Sequence, residues 1–194
     1  MNITKKLLRV NEFSRPGKKL AEKKALILHW VGVGGQRALT VWEYFEYACV
    51  KEQKYASAHY CVDLDGGVYQ FIPDDEVAYH CGSSQNDPKS GKIYTDWARD
   101  VFGKYAEDPK GNSPNNASIG IELCVIDNQG NFAPETLQSA AELTARLCQT
   151  WRIPLERVGT HNMVVGWKDC PRLWTRFPDQ FSAFKERVGN LMTR

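Results

Sequence analysis

The chain has 194 residues, 42% of them apolar and 25% charged, with a formal net charge of +2. This is enough material for the core of one compact α/β domain and leaves no need for a second. The mild charge excludes a dedicated nucleic-acid binder, while a slightly basic surface suits an anionic polymer. No segment is long and apolar enough to span a bilayer, so stable membrane insertion is not expected.

Met1 to Asn11 carries basic residues but no uninterrupted apolar stretch, so the sequence predicts no signal peptide and synthesis in a cytoplasm. Residues 1–24 are polar, with a turn at Ser14-Arg15-Pro16-Gly17, and read as an extended arm packed on a domain formed by residues 25–194. Ala25 to Val31 is the first buried strand, broken by Gly32, Gly34 and Gly35. Thr40-x-x-Glu43 reads as a capping box ahead of Val41, Tyr44, Phe45, Ala48 and Cys49 at helical spacing. Ala58 to Leu64 and Val68 to Ile72 flank Asp65-Gly66-Gly67 as a β-hairpin, and a short strand is expected around Val77 to His80.

From Gly82 to Asn116 the composition turns polar, with one short helix near Tyr94 to Phe102. A connection of that length in a compact domain is usually functional. Ser118 to Ile126 returns to strand character, Asp127 to Gly130 turns, and Pro134 opens a long helix with Leu137, Ala141, Thr144, Cys148 and Trp151 on one face. A strand near Arg157 to Thr160 leads into His161, and Pro178 to Met192 reads as a closing amphipathic helix. There is no internal repeat.

Six cysteines in a chain without a secretion signal read as reduced thiols, and Cys49, Cys124 and Cys148 fit apolar patterns as small hydrophobes. Cys170 differs, lying in a polar stretch between Lys168 and Pro171, where ligation or nucleophilicity explains it better than burial. With His29 in the first strand and His161 upstream, it makes a set of donors that zinc takes readily. Three protein ligands leave the fourth tetrahedral position for a nucleophilic water. The alternation Ile119-Gly120-Ile121-Glu122 would point a carboxylate from an apolar strand into a groove, where it could serve as general base and then general acid.

Five segments occur in the order of one family: those around His29 and His161–Cys170, the hairpin from Ser57 to Gln70, Ala78-Tyr79-His80-Cys81-Gly82, and Ser118 to Glu122. Over roughly residues 25–175 the chain resembles the zinc N-acetylmuramoyl-L-alanine amidases, which share their fold with the peptidoglycan recognition proteins and include phage endolysins and bacterial autolysins. The resemblance implies a central mixed β-sheet flanked by helices, with zinc at the floor of a groove. It implies cleavage of the amide between N-acetylmuramic acid and L-alanine of the stem peptide. The ligand set then matches His29, His161 and Cys170, with Asp169 an alternative to Cys170 because this loop varies among relatives. Glu122 takes the acid–base role and Lys168 sits near the developing oxyanion. His59, His80 and Trp167 are expected to contact substrate. Some relatives carry a catalytic tyrosine one residue before the hairpin histidine; Ala58 stands there instead.

The expected partner is bacterial peptidoglycan, met by a monomer after release or export, as a phage or prophage endolysin would be. A non-catalytic peptidoglycan-binding module of the same fold is the alternative, disfavoured by the presence of all three ligand types together with Glu122. A cysteine peptidase pairing Cys61 with His161 is a third reading, disfavoured because a thiol inside an alternating strand is a poor nucleophile.

Overall fold

The computed structural model describes residues 1–108 and 111–193, so residues 109 and 110 of the long connection and Arg194 lie outside the account. Six strands form one mixed sheet in the order β1 (Ile3–Lys5), β4 (Val68–Gln70), β3 (Tyr60–Val62), β5 (Ser118–Leu123), β2 (Ala25–Trp30) and β6 (Val158–Thr160). Among these described strands, the hairpin pair β3–β4 is antiparallel and the other pairings are parallel.

The interior strand β2 reads Ala-Leu-Ile-Leu-His-Trp because helices cover both faces of the sheet, which calls for a continuous apolar run rather than an alternating one. Leu26 and Leu28 point into a core shared with α4 (Pro134–Trp151) and α7 (Pro178–Met192), where Leu143, Leu147, Phe184 and Val188 are buried. Each such side chain contributes about 1.5–3 kcal/mol by leaving water. Ala25 and Ile27 point to the other face, against Ala98 and Phe102 of α3 (Asp96–Phe102) and Val164 and Val165 of α5 (His161–Val165). His29 follows them by the two-residue period and shares this second face.

Several elements depart from the sequence reading. The helix expected behind a Thr40 cap begins earlier, as α1 (Ala38–Glu43), and its preceding residue Arg37 makes no side-chain cap. Arg37 is instead drawn to the hairpin, pairing its Nε with Asp63 at 2.8 Å and its Nη2 with Asp65, so a tertiary ion pair fixes the entry and Thr40 falls inside the first turn. The helix then widens into a π-turn over Tyr44–Ala48 before α2 (Cys49–Lys51). There the carboxylate of buried Glu46 accepts from the backbone N–H of Arg9 at 3.0 Å and from its guanidinium.

Residues 77–80 form no strand, because their backbone groups are spent elsewhere. Val77 N–H donates to Lys18 carbonyl, Tyr79 N–H to Ser57 Oγ and His80 N–H to Asn115 Oδ1. The arm contributes β1, which pairs parallel with β4, and Arg15 of the arm forms a forked pair with Glu76. β5 ends at Leu123 rather than Ile126, since Ile126 N–H turns back to Asn131 carbonyl. The short helices α5 and α6 (Arg172–Arg176) were not anticipated. All six cysteines are free and buried. Among the described residues no helix is long and apolar enough to cross a membrane.

Candidate active site

Parallel register sets His29 of β2 directly beside Glu122 of β5, and paired residues on neighbouring parallel strands face the same side. The alternation read from Ile119 to Glu122 therefore does deliver the carboxylate to the face that carries the histidine. β6 ends on Thr160, whose hydroxyl accepts from Met163 N–H at 3.2 Å as the N-cap of α5, and His161 is the first residue of that helix. The loop after α5 is held by Asn162: its backbone N–H donates to Cys170 carbonyl and its side-chain amide to Lys168 carbonyl, both at 2.9 Å. Gly166 ends α5 at φ +78°, where a side chain would be strained and a Cβ would collide with buried Asp87.

These placements bring His29, His161 and Cys170 together. One ligand atom from each lies within 4.8 Å of the others, and all three residues are buried. His29 Nδ1 faces Cys170 Sγ at 3.8 Å, and His161 Nδ1 is buried without any hydrogen-bond partner. Asp169 is not part of this group; its Oδ2 lies 3.0 Å from Arg172 Nε and 3.9 Å from Arg176 Nη2, and its Oδ1 is buried without a partner. Two imidazoles and one thiol converging on a point, one nitrogen of them orphaned, are a donor set that suits a tetrahedral zinc with one open position.

The triad opens on a cavity of about 900 Å³ that Glu122, Lys168 and Trp167 also line. Glu122 Oε2 is shut off from solvent and has no hydrogen-bond partner. Burial raises its carboxyl to about 8, with Lys168 pulling the other way. Burial lowers His161 to about 3, aided by the Lys168 charge, and holds His29 well below the ordinary imidazole value. Cys170 is pushed up to about 12, first by burial and then by Glu122. Burial thus keeps both imidazoles neutral, with lone pairs available, and rewards a cation that could compensate a thiolate. Trp167 lines the same cavity, its Nε1 donating to Ser83 Oγ at 2.9 Å.

Two of the residues singled out in the sequence sit differently. His59 is fully buried just ahead of β3, where its Nδ1 accepts from Gly120 N–H at 3.0 Å and its Nε2 donates to Glu76 carbonyl at 2.9 Å, so both ring nitrogens are spent on backbone. His80 touches the cavity but pairs its Nδ1 with His29 Nε2 at 3.0 Å. Cys61 lies 3.8 Å from Cys124, sulfur to sulfur, with no exposure, which leaves it no route to a substrate. The sequence reading missed Tyr44, Tyr55 and Tyr79, which line the same cavity. No local pattern marks them, since aromatic residues at such positions pack cores more often than grooves.

Residues 20–173 match the family of N-acetylmuramoyl-L-alanine amidases. The chain belongs to this family. It is 36% identical over its full length to a Bacillus licheniformis protein named "Probable N-acetylmuramoyl-L-alanine amidase", covering 49% of that protein. It is 33% identical over 193 residues to the amidase CwlL of the same species, covering 99% of this chain and 48% of the relative. The chain therefore spans about half the length of the curated relatives it matches. Among solved structures, a mutant endolysin from Bacillus subtilis aligns with a TM-score of 0.69 at 26% identity, covering 97% of this chain and 99% of that one. PlyL aligns with a TM-score of 0.70 at 22% identity, covering 97% of each chain, a likeness of fold. The mixed sheet flanked by helices is thus the amidase fold that the five sequence segments implied.

Proposed function

We propose that this chain is a zinc-dependent amidase that hydrolyses the amide between the lactyl group of N-acetylmuramic acid and the L-alanine of the peptidoglycan stem peptide. The observation that carries the reading is the buried cluster of His29, His161 and Cys170 opening on the cavity that holds Glu122 and Lys168, in a chain of the amidase family. The setting would be a bacterial wall attacked by an endolysin-type enzyme.

His29, His161 and Cys170 would hold the ion. Bound there, zinc would polarise the scissile carbonyl, acidify a water and, as a nearby cation, draw Glu122 towards its ionised form. Glu122 accepts a proton from the attacking water as the water oxygen bonds to the lactyl carbonyl carbon. Burial raises its carboxyl against the pull of Lys168 and of the ion, so Glu122 can take that proton and pass it to the nitrogen as the C–N bond breaks, releasing the stem peptide with a free amine. The exposed Lys168 ammonium at the cavity wall neutralises charge growing on the carbonyl oxygen. Trp167, fixed by Ser83, offers an indole face to sugar or peptide.

Metal analysis tests the reading. Purified protein is expected to carry close to one zinc, chelation to abolish wall lysis and added zinc to restore it. Cys170→Ser should lower zinc occupancy and Asp169→Ala should not. Full occupancy in Cys170→Ser with loss in Asp169→Ala would exchange the ligand assignment, and lysis unaffected by chelation would end the metal reading.

A further inference from the structure

We propose that His80 is a positioning residue of the metal centre, holding the ring of His29 so that its Nδ1 lone pair faces the ion; the inference rests on the metal reading above. The direction of one hydrogen bond carries it. His29 has Nδ1 turned to Cys170 Sγ at 3.8 Å and Nε2 turned to His80 Nδ1 at 3.0 Å. A neutral imidazole that offers its Nδ1 lone pair to a metal must carry its proton on Nε2, so His29 donates and His80 Nδ1 accepts.

The rest of the chain of contacts agrees with that direction. His80 then has its own proton on Nε2, which lies 3.2 Å from Ser118 Oγ and 3.4 Å from Ser118 carbonyl, both able to accept. Ser118 Oγ in turn donates to Pro114 carbonyl at 2.7 Å. Each donor from His29 to Pro114 has an acceptor, and no proton is contested.

His80 is itself held rigidly. Asn115 Oδ1 accepts from the backbone N–H of His80 at 2.9 Å and of Cys81 at 2.8 Å, tying the segment to the turn that precedes β5. The imidazole lies over Gly120, where a Cβ would come within 2.5 Å of His80 Cγ, so the bare strand leaves room for the ring. It meets His29 edge-on, at 90° with 5.2 Å between centroids. Two residues further on, Gly82 carbonyl lies 3.4 Å from His161 Nε2 and leaves that residue's Nδ1 free in the same way. One short segment thus orients both ligand histidines, from a side chain for one and a carbonyl for the other. Such outer partners fix tautomer and ring angle and typically change metal affinity by 10–100-fold when removed.

The test is zinc affinity, measured on the full chain by competition with a chromophoric chelator, for wild type, His80→Ala, His80→Asn and His80→Gln, with melting curves for each. An asparagine carbonyl falls near the place of the histidine Nδ1, whereas a glutamine carbonyl falls near Nε2. His80→Ala and His80→Gln should weaken zinc binding on the order of 10–100-fold, and His80→Asn should recover most of it. Should His80→Ala fail to fold, the contrast between Asn and Gln still decides. Wild-type affinity in all three variants, or equal losses in Asn and Gln, would overturn the proposal. Unchanged zinc affinity with a raised KM would return His80 to the role of a substrate contact. A wild-type chain that binds no zinc would overturn the metal reading and this inference together.

Discussion

At the scale of single residues, the environment of Glu122 is what supports the acid–base role proposed for it. It is a strand residue with one carboxylate oxygen unpartnered, and desolvation raises its carboxyl to about 8. A carboxyl raised by burial and lowered by neighbouring cations is balanced between its two protonation states, which suits transfer between water and a leaving amine. Glu122→Gln is expected to keep the fold and the zinc content and to lower kcat by roughly two to four orders of magnitude, the range for a positioned acid–base group. Lys168→Ala should be milder, on the order of a hundredfold, if its exposed charge stabilises the oxyanion as proposed. Steady-state rates on a soluble muropeptide would check both, and near-wild-type turnover in Glu122→Gln would remove it from the chemistry.

At the scale of elements, long regular patterns were legible and short ones were not. α7 runs over Pro178–Met192 as read, because its apolar residues recur over four turns between a proline start and the chain end. β5 was legible because Ile119-Gly120-Ile121-Glu122 alternates cleanly between two differently lined faces. β1 was not, since Ile3-Thr4-Lys5 has too few residues to show a period and its pairing with β4 is a long-range event. The two five-residue helices around Cys170 escaped for the same reason, although the sequence did single out the candidate ligands His161 and Cys170 beside them. Capping chemistry was misplaced: Thr40-x-x-Glu43 satisfied a local rule, but the ion pairs of Arg37 set the helix start, while Thr160 caps α5. Thr160→Ala should therefore cost about 1 kcal/mol in chemical denaturation. Thr40→Ala should change stability by a few tenths at most. Equal losses would restore the box at Thr40.

For the whole molecule, the burial that builds the site also sets its pH response. All four histidines are held below the ordinary value, His59 at about 4 and His161 at about 3, with burial the leading cause for each. The unfolded chain then binds more protons than the folded one once pH falls below 6.5, so unfolding takes up protons and stability drops towards acid. Glu122 has the opposite sign. Its folded value is raised, so its contribution is complete below about 4.5 and is lost as pH rises through about 8. Denaturant unfolding of the metal-free protein should show a steep loss between pH 6.5 and 4, and Glu122→Gln should flatten the decline on the alkaline side. A stability independent of pH from 7 to 5 would contradict the buried, neutral state of the histidines.

The amidase reading turns on which bond is cut, and end-group analysis of digested peptidoglycan measures that directly. One carboxylate beside a metal triad suits attack on a planar carbonyl, whereas glycoside hydrolysis usually needs two flanking carboxylates. Amine labelling should find new N-terminal alanine rising in step with loss of turbidity, while the glycan strands gain no reducing ends. New reducing sugars, or new amines confined to crosslink residues, would contradict the account even if activity depended on zinc.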